Sequence, residues 1–154
     1  MRRVLLTVGL VVAVVTFASD SPRRSYHFGG LDVGELLKDE IAYGCGCSFH
    51  HPPSSKAKGN PLIQWELGES ASMYVNGRLE TLKPGDACFG NSELGKLESC
   101  HLIGEGVRAD ISAKASWVCP ADTESCEVTE YTGALVVSKG ARRASIPIWG
   151  ACGC

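Results

Sequence analysis

Val107-Arg-Ala-Asp-Ile-Ser-Ala-Lys-Ala-Ser-Trp117 decides the fold. Val107, Ala109, Ile111, Ala113, Ala115 and Trp117 alternate with Arg108, Asp110, Ser112, Lys114 and Ser116. A period of two sustained over this length is a strand with one buried face, since a helix would scatter both sets around its circumference.

Working outward, the neighbouring segments carry the same signal. Ile63 to Leu67 alternates apolar and polar residues. Ser72 to Val75 and Arg78 to Leu82 flank Asn76-Gly77, the dipeptide that tolerates the two positive φ angles of a type I′ hairpin turn. Pro84-Gly85-Asp86 reads as a further turn. Glu127 to Tyr131, Ala134 to Val137 and Ala144 to Trp149 read as strands separated by Thr132-Gly133 and Lys139-Gly140. About eight short strands with tight turns make a mostly β domain, a small antiparallel barrel or sandwich. One short N-terminal helix fits Asp32 to Ala42, where Leu36, Leu37 and Ile41 share a face. Pro52 to Pro61 has loop composition.

The N-terminus reads as an export signal. Arg2 and Arg3 precede the apolar run Val4 to Phe17, and Thr16 and Ala18 are small residues suited to cleavage before Ser19. The run is shorter than the ~20 apolar residues a spanning helix needs. The organisation expected is therefore a signal peptide over 1–18, a loose lead over 19–31 and one β-rich domain over 32–154, with no membrane span after cleavage. Loss of the two arginines takes the net charge from −2 to −4. A mildly acidic chain has no electrostatic basis for binding nucleic acid.

All eight cysteines, Cys45, Cys47, Cys88, Cys100, Cys119, Cys126, Cys152 and Cys154, follow the signal. In an exported chain an even number of cysteines reads first as disulfides. Cys45-Gly46-Cys47 returns as Cys152-Gly153-Cys154. If both motifs lie on strands, each pair of sulfurs shares a face: Ile41, Tyr43, Cys45, Cys47 and Phe49 on one strand, Ile146, Ile148, Gly150, Cys152 and Cys154 on the other. First and last strands meet when a barrel closes. Antiparallel pairing would set Cys45 opposite Cys154 and Cys47 opposite Cys152, all four pointing inward. Cys119 with Cys126 would clamp one turn, and Cys88 with Cys100 would close another segment.

Two alternatives stay open for the Cys-Gly-Cys pairs. Four thiolates, with His50 and His51 nearby, suit Zn²⁺ or Cu(I). Closely spaced cysteines also suit thiol–disulfide exchange. Elsewhere no catalytic constellation emerges. His27 and His101 stand alone, Asp86, Glu93, Glu98 and Glu105 read as surface charges, and Ser92 lacks the flanking glycine of a nucleophile elbow. Trp65, Trp117 and Trp149 read as core or rim packing.

Gly44-Cys-Gly-Cys-Ser-Phe49, Ser72-Met-Tyr-Val-Asn-Gly-Arg-Leu-Glu-Thr-Leu82 and the closing Gly150-Ala-Cys-Gly-Cys154 resemble a set of uncharacterised exported bacterial proteins. That resemblance covers about a third of the exported chain and implies no activity, ligand or catalytic residue. The cysteine-containing strand-turn-strand is also loosely similar in architecture to membrane-bound C-type lysozyme inhibitor domains, without their inhibitory motif. The reading is an exported, periplasmic or extracellular, non-enzymatic β-domain without a cofactor. It binds an envelope protein or small ligand, with the loop from His50 to Asn60 as the expected surface.

Overall fold

The structure, a computed structural model, describes residues 23–52, 59–85, 88–89, 93–120 and 126–154. The expected signal peptide over 1–18 and residues 53–58 of the expected loop lie outside the described residues. Ten strands run in chain order: β1 (Ser25–Phe28), β2 (Leu31–Gly34), β3 (Gly46–His50), β4 (Ile63–Glu66), β5 (Ala71–Val75), β6 (Arg78–Pro84), β7 (Leu97–Ile103), β8 (Val107–Val118), β9 (Val128–Lys139) and β10 (Arg142–Gly153). All pairings are antiparallel, in the order β1-β2-β5-β4-β3-β10-β9-β8-β7-β6, and β6 pairs back onto β5. Strands β3 to β10 thus close an eight-stranded barrel.

The long alternating stretch became β8 because its apolar set fills the barrel. Ala109, Ile111 and Ala113 are buried with Leu102 on one side and Leu135 and Val137 on the other. Arg108, Asp110, Ser112 and Lys114 alternate with them along the strand, away from the core. The alternation breaks once: a bulge between Ala115 and Trp117 shifts the register, so Trp117 pairs with Glu130 and lies exposed. The expectation that Trp117 shares the inner face is thereby corrected, and the extra residue of the bulge is the cause.

The Asn76-Gly77 turn forms as its residues require, with φ of 52° and 76°. Thr132-Gly133 does not break the chain. β9 runs through it, because a side chain at Gly133 would strike the Ser112 carbonyl on β8, and glycine there permits the close approach. β7 was not foreseen, because Leu97 and Ile103 fall on its outer face while Cys100 and Leu102 fall on its inner one.

The N-terminal region departs most from the sequence expectation. No helix spans Asp32 to Ala42; only one 3-10 turn forms, Lys38–Glu40. Leu31, Val33 and Leu36 are buried from an extended chain, which places them on the core better than a helical stripe would. Nor are residues 25–31 a loose lead, since β1 and β2 form a hairpin over Gly29-Gly30. That hairpin fills a gap. β4 pairs with β5 only as far as Met73, and β2 takes over the same edge at Tyr74 and Val75. Likewise β3 covers β10 only from Trp149 onward, and the hairpin's turn lies against Arg143, with Arg142 Nη1 donating to the Gly30 carbonyl at 3.1 Å.

Among the described residues one charged residue is buried. Glu80 is 8% exposed on the inner face of β6 and accepts a hydrogen bond from Lys139 Nζ at 2.7 Å. Removing one member of such a pair strands the other in a low-dielectric site, whereas replacing both need cost little. Lys139→Met is therefore expected to lower stability by about 2–3 kcal/mol and Glu80→Leu/Lys139→Met to recover all but about 1 kcal/mol. Urea unfolding of the two variants checks this, and equal losses in both would contradict it.

Candidate functional site at the cystine-closed barrel mouth

The two Cys-Gly-Cys motifs meet edge to edge. β3 and β10 pair with Cys47 opposite Cys152 and Gly46 opposite Gly153, and continuing the register brings Cys45 opposite Cys154. Both pairs are disulfides, with Cα separations of 4.0 Å for Cys47–Cys152 and 4.2 Å for Cys45–Cys154. These are the narrow sites of an antiparallel ladder. Cys88–Cys100 and Cys119–Cys126 complete the set, and no cysteine is free.

Glycine between the cysteines has a steric cause. A Cβ on Gly46 would lie 2.0 Å from the Trp65 carbonyl oxygen, and one on Gly153 would lie 2.0 Å from that of Glu127. Adjacent backbone leans over both positions, so a side chain at either would push the ladder apart. The ladder is not uniformly inward, however. Cys47 is buried at 3% exposure and Cys152 packs against the core, but Cys45 and Cys154 are exposed. β3 begins only at Gly46, and Tyr43 is exposed, so the expected inner face does not extend back from Cys45 to Ile41. The outer rung therefore sits on the barrel's rim.

Inside that rim is a cleft of about 200 Å³ lined by Cys47, Cys152, Leu67, Phe89, Glu127, Thr129 and Tyr131, with Gly46 and Gly153. Its aromatic side belongs to a cluster in which Phe89 meets Tyr131 edge-on at 4.8 Å and Phe49 at 5.3 Å. Phe89 comes from the chain between β6 and β7, where the Cys88–Cys100 disulfide ties its neighbour to β7. Glu127, just before β9, and Thr129 and Tyr131 within it lie at alternate positions. The sequence held two cues to this site: the alternation of those three residues, and an aromatic beside a cysteine.

His50 and His51 lie elsewhere. His50 is the last residue of β3, an odd number of positions from Cys47 and on the other face. Its Nδ1–H donates to the Gly59 carbonyl at 3.1 Å, and its ring lies 5.7 Å from Trp149. His51 stacks on Tyr26 at 4.4 Å and meets Phe28 at 5.8 Å. Neither histidine joins the cysteine ladder, and among the described residues no group of three or more His, Cys, Asp or Glu side chains is placed to hold a metal ion. As disulfides the four sulfurs offer no thiolate, so the Zn²⁺ or Cu(I) alternative on Cys45, Cys47, Cys152 and Cys154 requires their reduced form.

The remaining polar residues are dispersed. His101 Nδ1–H donates to Asp110 Oδ1 at 2.7 Å on the outer face, where Arg108 Nε also reaches both Asp110 oxygens at 2.8 and 2.9 Å. Burial raises the Asp110 carboxyl pKa, but those hydrogen bonds and charges outweigh it and hold the group below its ordinary value. His27 pairs with Asp32 at 2.7 Å. Glu93 and Glu105 are exposed, whereas Glu98 faces inward from β7 with Oε1 shielded from solvent. Ser92 and Asp86 lie outside the described residues. No family model, curated protein or solved structure matches the chain.

Two predictions arise here. With either rung intact, a ring of more than a hundred residues stays closed, because the rungs have sequence separations of 105 and 109. Replacing one pair by alanine is expected to cost about 2 kcal/mol and replacing both about 6–7 kcal/mol, more than the sum of the single losses. Denaturant unfolding of the three variants tests this, and strictly additive losses would contradict shared closure. The second prediction concerns pH. Burial lowers the pKa of both His50 and His51, against the attraction of Glu35. The unfolded chain then binds protons more readily, so their contribution is whole above about pH 6.5 and is lost as pH falls below it. His51→Phe keeps the stack on Tyr26 and is expected to flatten the fall in thermal midpoint between pH 7 and 5; an unchanged profile would remove His51 from the account.

Proposed function

We propose that the chain is an exported, non-enzymatic binding domain of the cell envelope, closed by disulfides, which receives a cationic side chain of a partner protein in its barrel mouth. Four disulfides fit an oxidising compartment. Among the described residues no helix is long and apolar enough to cross a membrane. The apolar leader from Val4 to Phe17 agrees with export.

The mouth cleft carries the reading. At about 200 Å³ it is smaller than the ~300–1,000 Å³ typical of small-molecule sites, and so suits one side chain better than a whole cofactor. Leu67 and Phe89 offer apolar and aromatic surface, the buried Tyr131 backs them, and Glu127 adds one carboxylate. A lysine or arginine matches that combination, its stem lying on the apolar wall and its head meeting the aromatic faces and the carboxylate. The mildly acidic exported chain would favour a basic partner surface. The loop from His50 to Asn60 is set aside in this reading, because its polar groups are engaged within the fold where they are described.

The test is an amide-resolved NMR titration of the oxidised protein with N-acetyl-lysine methylamide, and in parallel with the norleucine analogue. Shifts are expected at Leu67, Phe89, Thr129 and Tyr131. The lysine probe should bind roughly fivefold tighter than norleucine, equivalent to about 1 kcal/mol, and lose that advantage in Glu127→Gln. Shifts spread over the surface, or identical for both probes, would overturn the reading.

A further inference from the structure

The two rungs of the ladder differ in exposure. Cys47 is 3% exposed and, with Cys152, packs against the barrel core. Cys45 and Cys154 are both exposed. No other disulfide has both halves exposed: Cys100 is buried at 1%, and Cys88, Cys119 and Cys126 are each partly covered. Thiol–disulfide exchange needs a thiolate to reach a sulfur, so exposure selects among otherwise similar bonds.

Access is open as well. A second cleft, about 210 Å³, lies beside the ladder and is lined by Cys47, Cys152 and Cys154, with Gly44, Gly46 and Gln64 among others. The cleft leads to both rungs, and the exposure of Cys45 and Cys154 against the burial of Cys47 is what separates them. Closure of the barrel does not hang on the outer bond alone. Cys47–Cys152 keeps β3 joined to β10, and their pairing from Trp149 to Gly153 does not involve Cys45.

We infer that Cys45–Cys154 is a thiol-exchange site that trades electrons with a vicinal dithiol of another protein, while Cys47–Cys152 serves as the lock that keeps the barrel closed. A thiolate of the dithiol attacks one sulfur of Cys45–Cys154. That S–S bond breaks, the other cysteine leaves as a thiolate and takes up a proton, and a mixed disulfide joins the two proteins. The second thiolate of the dithiol attacks its own sulfur in that bond and releases the second cysteine, which is protonated in turn. Two electrons and two protons pass to the cystine, and the dithiol becomes a disulfide. Run in this direction, the chain is an oxidant of dithiols; run in reverse, it is recharged by a disulfide. This inference is independent of the side-chain site proposed for the barrel mouth.

The oxidised protein, purified from its export compartment, would be treated without denaturant with graded dithiothreitol and separately with a protein carrying a Cys-x-x-Cys dithiol. Alkylation and fragment mapping would follow each step. The first product is expected to carry label on Cys45 and Cys154 alone, to form at least about tenfold faster than any other disulfide is lost, and to keep the circular dichroism of the oxidised form. A protein dithiol lacking its second cysteine should be trapped as a mixed disulfide on this chain and not on Cys45→Ser/Cys154→Ser. First labelling at Cys88 and Cys100 or at Cys119 and Cys126, or simultaneous labelling of all eight with loss of structure, would overturn the inference. Reaction with dithiothreitol but no trapping by the protein dithiol would also overturn it, by showing an accessible bond without exchange between proteins.

Discussion

Joining β3 to β10 is the constraint on which the rest of this structure depends. Each of the other seams between neighbouring barrel strands links segments that follow one another in the chain, with connections of twelve residues or fewer. This one joins residues more than a hundred positions apart, so its pairing must overcome the full loop-closure entropy of the domain. Five residue pairs of backbone ladder, Trp149–Gly153 against Gly46–His50, are all the sheet supplies there. The two disulfides remove much of that entropy from the unfolded chain, which is why both ends of the domain carry the same three-residue motif.

Other features follow from closing a barrel with strands of unequal length. β3 and β4 are short, and the β1–β2 hairpin fills the space they leave between β5 and β10. β6 meets β7 only at Lys83–Ile103 and Pro84–Leu102, and the segment between those strands brings Phe89 into the aromatic cluster beside Phe49, Trp65 and Tyr131. Cys88–Cys100 anchors it. The mouth cleft is what remains between that segment, the ladder and the start of β9, so the site proposed for function is a by-product of how the barrel is sealed.

Much of the fold was legible because barrels with an apolar interior write a period of two into their strands. Val107 to Ala115 and Asn76-Gly77 are unambiguous for that reason. The identity of the two Cys-Gly-Cys motifs pointed to a ladder, since cysteines two apart on paired strands face one another. Trp117 was misplaced because a bulge leaves no compositional mark. β7 was hidden because apolar residues occur on both its faces, and the N-terminal hairpin because β1 is short and half exposed while the stripe of Leu36, Leu37 and Ile41 drew the end of β2 into an expected helix. The cleft was least legible of all. Leu67, Phe89 and Glu127 come from three separate connections, and only the closed barrel brings them together.

The pairing within the ladder is the central claim, and fragment mass spectrometry of the unreduced protein tests it directly. Tryptic digestion leaves Cys45 and Cys47 on one peptide and Cys152 and Cys154 on another, so backbone fragmentation at Gly46 and Gly153 must separate them. The account predicts fragments joining Cys45 to Cys154 and Cys47 to Cys152. Bonds within each motif, Cys45 to Cys47 and Cys152 to Cys154, would leave β3 and β10 unlinked and contradict it.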